Sequence, residues 1–198
     1  MKSWMFVSAL ALTAAPAFAL ESGSPAPDFK AATSQKKEVK LSDYKGKTVV
    51  LEWLNYGCPF VKKHYRGKNM QQVQADYTKK GVVWLSVISS AEGKQGYAGP
   101  EQAEKDRKEH ESRATAVILD PKGEVGRLYG AQTTPHMFVI DPKGKLAYQG
   151  AIDDKPSAEP DTLKGAHNYV SDALDAVLAG KPVSKATTKS YGCSVKYN

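Results

Sequence analysis

The chain has 198 residues, 41% hydrophobic and 25% charged, with a formal net charge of +7. That length fits one domain with tails, and the composition excludes collagen-like, low-complexity and disulfide-dense scaffolds. No stretch reaches the roughly 18 apolar residues that a membrane span needs.

The N-terminus reads as a secretory signal peptide. Lys2 supplies a positive start, Met5 to Ala15 a short apolar run, and Ala17-Phe18-Ala19 a small-x-small cleavage site. Cleavage after Ala19 leaves 27 basic against 21 acidic side chains, about +6, and predicts a periplasmic or secreted protein. The lysines are scattered through loops with no aromatic-basic recognition motif, so the charge predicts a solvated surface and no nucleic-acid partner.

Residues 20–27 are polar and proline-rich and read as a lead-in. Short strands are expected over 28–33 and 37–41. Residues 48–54 (TVVLEWL) read as a strand buried on both faces, and residues 82–88 (VVWLSVI) as its parallel neighbour. Between them a helix is predicted over 59–80, with Pro59 at its first position, Gly67 as an interruption and Gly81 as the stop. Downstream come a glycine-rich loop at 89–99, a charged helix over 100–113, a strand over 116–119 and a short helix over 124–129. A hairpin over 136–152 turns at Asp141-Pro142-Lys143-Gly144, a polar loop spans 153–165, and a final helix covers 166–178. The domain is thus expected over 20–180, with 181–198 a polar tail that carries Cys193.

Cys58 is the leading candidate for chemistry. It follows a buried strand and precedes Pro59, which makes it the predicted helix N-cap. There the free first-turn amides and the helix dipole favour thiolate over thiol. Lys62, Lys63 and His64 add positive potential. The alternative is a buried, inert cysteine. Glu52 lies six residues earlier inside the apolar strand. A carboxylate buried there needs a partner or a function, and its raised pKa would make it a proton acceptor; on a strand edge it would simply face water. Thr134-Pro135, before a strand, suits a cis peptide bond.

The run Trp53-Leu54-Asn55-Tyr56-Gly57-Cys58-Pro59-Phe60, then Thr134-Pro135 with a hairpin and terminal helix, resembles the thioredoxin superfamily. More narrowly it resembles the redoxin branch of alkyl hydroperoxide reductase, thiol-specific antioxidant and peroxiredoxin-like proteins. The resemblance covers roughly residues 26–178. It implies an α/β thioredoxin-like fold, a central mixed β-sheet flanked by helices, with Cys58 beside a cis-proline and Glu52 at the buried acidic position of thioredoxins. It also implies thiol chemistry on a protein disulfide or a hydroperoxide, with an external thiol reductant and no cofactor. The match departs in two places. Val61 replaces the second cysteine of Cys-x-x-Cys, and Leu51 and Asn55 replace the proline and hydroxyl residue of the peroxiredoxin Pro-x-x-x-Thr/Ser-x-x-Cys motif.

Cys193 is the remaining thiol. A helix over 166–178 spans about 20 Å, and an extended 181–192 segment covers roughly 40 Å, enough to return to Cys58. Cys193 is therefore expected to pair with Cys58, as a redox partner or as a structural disulfide pinning the tail. Two other classes remain: a non-catalytic interaction protein with this fold, and a copper chaperone using Cys58, His64 and His136. His64 is expected on a helix surface. No phosphate loop, dinucleotide fingerprint, zinc motif or Ser/His/Asp motif is present.

Overall fold

The computed structural model describes residues 20–198. The expected signal peptide and its cleavage site lie outside them.

Two strands open the fold, β1 (Lys30–Thr33) and β2 (Glu38–Lys40), followed by the central strand β3 (Val49–Trp53). Alternation along β3 serves two cores. Val49, Leu51 and Trp53 pack on one face with Leu85, Phe138 and Tyr129. Val50 and Leu54 pack on the other with Cys58, Tyr65, Trp84 and Leu174. A strand buried on both faces needs apolar residues at both parities, which explains its nearly continuous hydrophobic run.

The predicted helix over 59–80 is two helices, α1 (Pro59–Arg66) and α2 (Asn69–Lys79). Gly67 caps the first, and Lys68 takes a left-handed conformation at φ 57° that no helix can continue through. The interruption at Gly67 was legible; that it divides the segment was not. Then follow β4 (Val83–Ile88), α3 (Pro100–Glu109), β5 (Ala116–Leu119), α4 (Glu124–Leu128), β6 (Thr133–Thr134), β7 (His136–Ile140), β8 (Leu146–Gly150), α5 (Tyr169–Leu178) and β9 (Cys193–Ser194). Helices α3 and α5 are shorter than expected, and β8 ends at Gly150.

Seven strands form one mixed sheet in the order β2-β1-β5-β4-β3-β7-β8. Strands β3, β4 and β5 run parallel, with antiparallel β7–β8 beyond β3 and antiparallel β1 beyond β5. This is the α/β thioredoxin-like architecture. The tail is docked and adds a separate two-stranded pair, β6–β9. Among the described residues, no helix is long and apolar enough to cross a membrane.

Candidate active site

The site forms where β3 ends. Leu54 donates its N–H to the Val87 carbonyl, the last tie to the sheet before the chain turns. Asn55 shapes the turn: its Oδ1 accepts the Gly57 N–H at 2.8 Å, and its Nδ2 donates to the Gln95 carbonyl at 3.3 Å. Both functions of the amide are thus used by the backbone. Cys58 then stands at the N-cap of α1 with Pro59 at the first helical position, as the sequence predicts.

Cys58 is fully buried, and its thiol donates to the Thr134 carbonyl at 3.1 Å. The Thr134–Pro135 bond is cis. Pairing of β6 with β9 sets Thr134 opposite Cys193 and Thr133 opposite Ser194. That register sets Cys193 beside the residue whose carbonyl the Cys58 thiol contacts, and both cysteines are free thiols.

The two thiols are electrostatically unequal. Burial opposes ionisation of Cys58. The Cys193 thiol, the Thr134 hydroxyl and the Val61 and Cys193 amides lie where they favour a thiolate, and on balance they hold the Cys58 pKa below its ordinary value. The Thr134 Oγ1 is buried and makes no hydrogen bond in the structure. It is therefore free to donate once a thiolate forms. Burial, then the neighbouring Cys58, pushes the Cys193 pKa up to about 11. Cys58 is thus the more readily ionised thiol of the two.

Glu52 is buried within the sheet. Its carboxylate accepts from Tyr65 Oη and Gln74 Nε2 at 3.0 Å, from Trp84 Nε1 at 2.7 Å and from Ser86 Oγ at 3.0 Å. Burial raises its pKa against the pull of these donors. None of its hydrogen-bond partners is Cys58, so the geometry does not show the expected proton acceptor. Glu52 organises the packing of β3, β4, α1 and α2 beneath the site.

The basic residues of α1 also differ from expectation. Lys63 and His64 are buried, not on the helix surface. Lys63 Nζ lies 3.3 Å from Asp153 Oδ2, donates to the Lys155 carbonyl at 2.7 Å and lies 3.3 Å from Tyr191 Oη. Tyr191 donates to Asp153 Oδ1, and His64 Nε2 lies 3.2 Å from Tyr191 Oη. Burial lowers the His64 pKa to about 4, so it carries no charge at neutral pH. The Lys63 charge is countered by Asp153. Neither supplies free positive potential to Cys58. This network lies two residues before Cys193 and ties the tail to α1. A tyrosine near the end and an aspartate in a polar loop carry no sequence signal for such a contact.

His136 is buried on β7, with its ring 4.5 Å from that of Phe138. Among the described residues, no group of three or more His, Cys, Asp and Glu side chains is arranged to hold a metal ion, so Cys58, His64 and His136 do not form the copper site considered above.

Residues 22–149 match the AhpC/TSA family model, a span that contains Glu52, Cys58, Thr134 and Pro135. The chain belongs to the AhpC/TSA family. Its relatives include the thiol-disulfide oxidoreductase ResA of Bacillus thuringiensis subsp. konkukian, 27% identical over 64% of this chain and 68% of the relative. ResA of Geobacillus thermodenitrificans is also 27% identical, over 63% and 66%. Among solved structures, an uncharacterized conserved protein from Geobacillus kaustophilus is 28% identical with a TM-score of 0.78, covering 90% of this chain and 93% of that one. The family match ends before Cys193 and the strand that carries it.

Proposed function

We propose that this member of the AhpC/TSA family is a thiol-disulfide oxidoreductase in which Cys58 attacks and Cys193 resolves. The observation that carries the reading is the β6–β9 register, which sets Cys193 opposite Thr134, the residue whose carbonyl accepts from the Cys58 thiol, beside cis-Pro135.

Each step balances. Cys58 loses its proton, and the thiolate attacks one sulfur of a substrate disulfide. A mixed disulfide forms on Cys58, and the other substrate sulfur leaves as a thiolate. Cys193 then gives up its proton and attacks the Cys58 sulfur, which forms the Cys58–Cys193 bond and releases the second substrate thiolate. The two protons return to the two leaving thiolates. The substrate gains two electrons and the protein loses them, and an external thiol reductant reverses the change. The raised pKa of Cys193 keeps it from competing in the first step. The relatives named as thiol-disulfide oxidoreductases support this choice of substrate. The peroxiredoxin hydroxyl position is held by Asn55, whose amide is bound to the backbone, which favours a disulfide over a hydroperoxide. The reading of residues 1–19 as a signal peptide supports chemistry outside the cytoplasm.

The test is mass spectrometry of the reduced protein mixed with oxidised glutathione. The expected product is the Cys58–Cys193 disulfide. Cys193→Ser should stop at a glutathione adduct on Cys58, and Cys58→Ser should react far more slowly. A reduced parent that forms neither adduct nor internal disulfide overturns the reading.

A further inference from the structure

Residues 186–198 do more than deliver Cys193. They run across the active-site end of the sheet and are anchored on both sides of the cysteine. Upstream, the Gln149 N–H donates to the Ala186 carbonyl and the Thr188 N–H to the Gln149 carbonyl, each at 3.0 Å. Thr188 Oγ1 accepts from the Ala151 N–H at 2.9 Å. Tyr191 follows, with its ring 5.9 Å from that of Phe60 and its hydroxyl in the buried Lys63–Asp153–His64 network.

Downstream, the Val195 N–H donates to the Gln132 carbonyl and the Ala91 N–H to the Lys196 carbonyl, each at 2.9 Å. Tyr197 donates to the Ala131 carbonyl at 2.8 Å, with the Arg127 guanidinium 4.8 Å from its ring centroid. Two glycines are shaped to this course. A Cβ on Gly126 would strike the Tyr197 ring and hydroxyl, and a Cβ on Gly192 would strike the Thr134 carbonyl. Gly192 itself has φ 135°, where side chains are rarely found.

The occupied edge is the one an incoming chain would need. An extended polypeptide binds a sheet by adding a strand to a free edge. Here the edge of β6, directly before cis-Pro135, is already paired by β9, and Cys58 beneath it is fully buried. A small molecule has no need of that edge. A polypeptide needs β6 itself.

We infer that residues 186–198 are a specificity strap that, while docked, closes Cys58 to polypeptide disulfides and confines it to low-molecular-weight oxidants, with Tyr191 and Tyr197 as its positioning residues. The inference rests on Cys58 being the reactive thiol. The strap lies beyond the family match at 22–149.

The test uses the Cys193→Ser chain, in which no internal disulfide forms and the strap anchors remain. Alkylation of Cys58 is timed with iodoacetamide and with a maleimide carried on a polyethylene glycol chain. The expected result is a small reagent that reacts and a polymer reagent that lags. Added Tyr197→Ala should raise the polymer-to-small rate ratio about tenfold by populating the open strap. Tyr197→Phe, which keeps the ring and loses only the Ala131 hydrogen bond, should raise it less. Retained tryptophan fluorescence shows that each variant is folded. An unchanged ratio in both variants overturns the strap, whatever the exchange activity. A raised ratio in variants that form no glutathione adduct leaves the strap standing and overturns the exchange reading instead.

Discussion

Asp153→Asn should be among the most damaging single changes to this fold, though Asp153 lies far from Cys58 in sequence. The carboxylate is buried, 3.3 Å from the equally buried Lys63 ammonium, and it accepts from the Tyr191 hydroxyl. The amide keeps the shape and removes the charge. Lys63 would then hold its ammonium against neutral contacts, the Lys155 carbonyl, the Tyr191 oxygen and the new amide. Leaving one member of a buried pair uncompensated costs about 3–5 kcal/mol, which is a large part of a domain's stability. Removing both charges with Lys63→Met and Asp153→Asn should recover about half of the loss, because the remaining cost is the buried hydrogen bonds that Lys63 makes to the Lys155 carbonyl and to Tyr191, about 1–3 kcal/mol. The assay is urea unfolding of the reduced protein near neutral pH, followed by tryptophan fluorescence and compared by midpoint and slope. An Asp153→Asn chain within about 1 kcal/mol of the parent would refute the network as a structural element. So would a double variant no better than the single one.

Two further outcomes are expected. His64 and His136 both have pKa values lowered to about 4, in each case chiefly by burial. A histidine that binds its proton more weakly when folded contributes stability in full above about pH 6.5, and that stability is lost as pH falls toward the folded value, up to ~3 kcal/mol for each group. The urea midpoint should therefore drop between pH 7 and pH 4.5, and should drop less in His136→Phe; equal slopes in both chains would sink the assignment. Gly192→Ala should force the chain off the Thr134 carbonyl and disrupt the β6–β9 pair, slowing internal disulfide formation with oxidised glutathione about tenfold while the first adduct on Cys58 still forms. Formation at the parent rate would show that the strap tolerates a different path.

Much of the fold was legible because its signals are local. The runs over 48–54 and 82–88 are apolar at both parities, which only strands covered on both faces require. Cys58-Pro59 after such a run marks a strand-to-helix turn with the cysteine at the cap, and the structure places it there. Thr134-Pro135 before a strand carried the cis bond in the same way. The error in the helix over 59–80 is also local: the pattern runs through Gly67, but the left-handed Lys68 has no marker in a lysine's own preferences.

Long-range placement was legible only in part. Chain length showed that Cys193 could reach Cys58; it did not show that β9 would pair with β6 and fix the register. Sequence marked Glu52 as a carboxylate in an apolar strand, but its donors come from β4, α1 and α2, and only their assembly shows that they, rather than Cys58, satisfy it. His64 read as a helix-surface residue and Lys63 as a source of positive potential for Cys58, because a sequence carries no record of the loop and tail that cover them. Asp153, Tyr191 and Tyr197 gain their roles from contacts between segments distant in the chain. By itself, then, the sequence determined most of the elements, the sheet's parallel core and the thiol at the helix cap, since backbone preference and hydrophobic period act over a few residues. Only the tertiary structure decided which buried charge meets which and what lies over Cys58, since desolvation and strand pairing depend on neighbours that the chain brings together only when it folds.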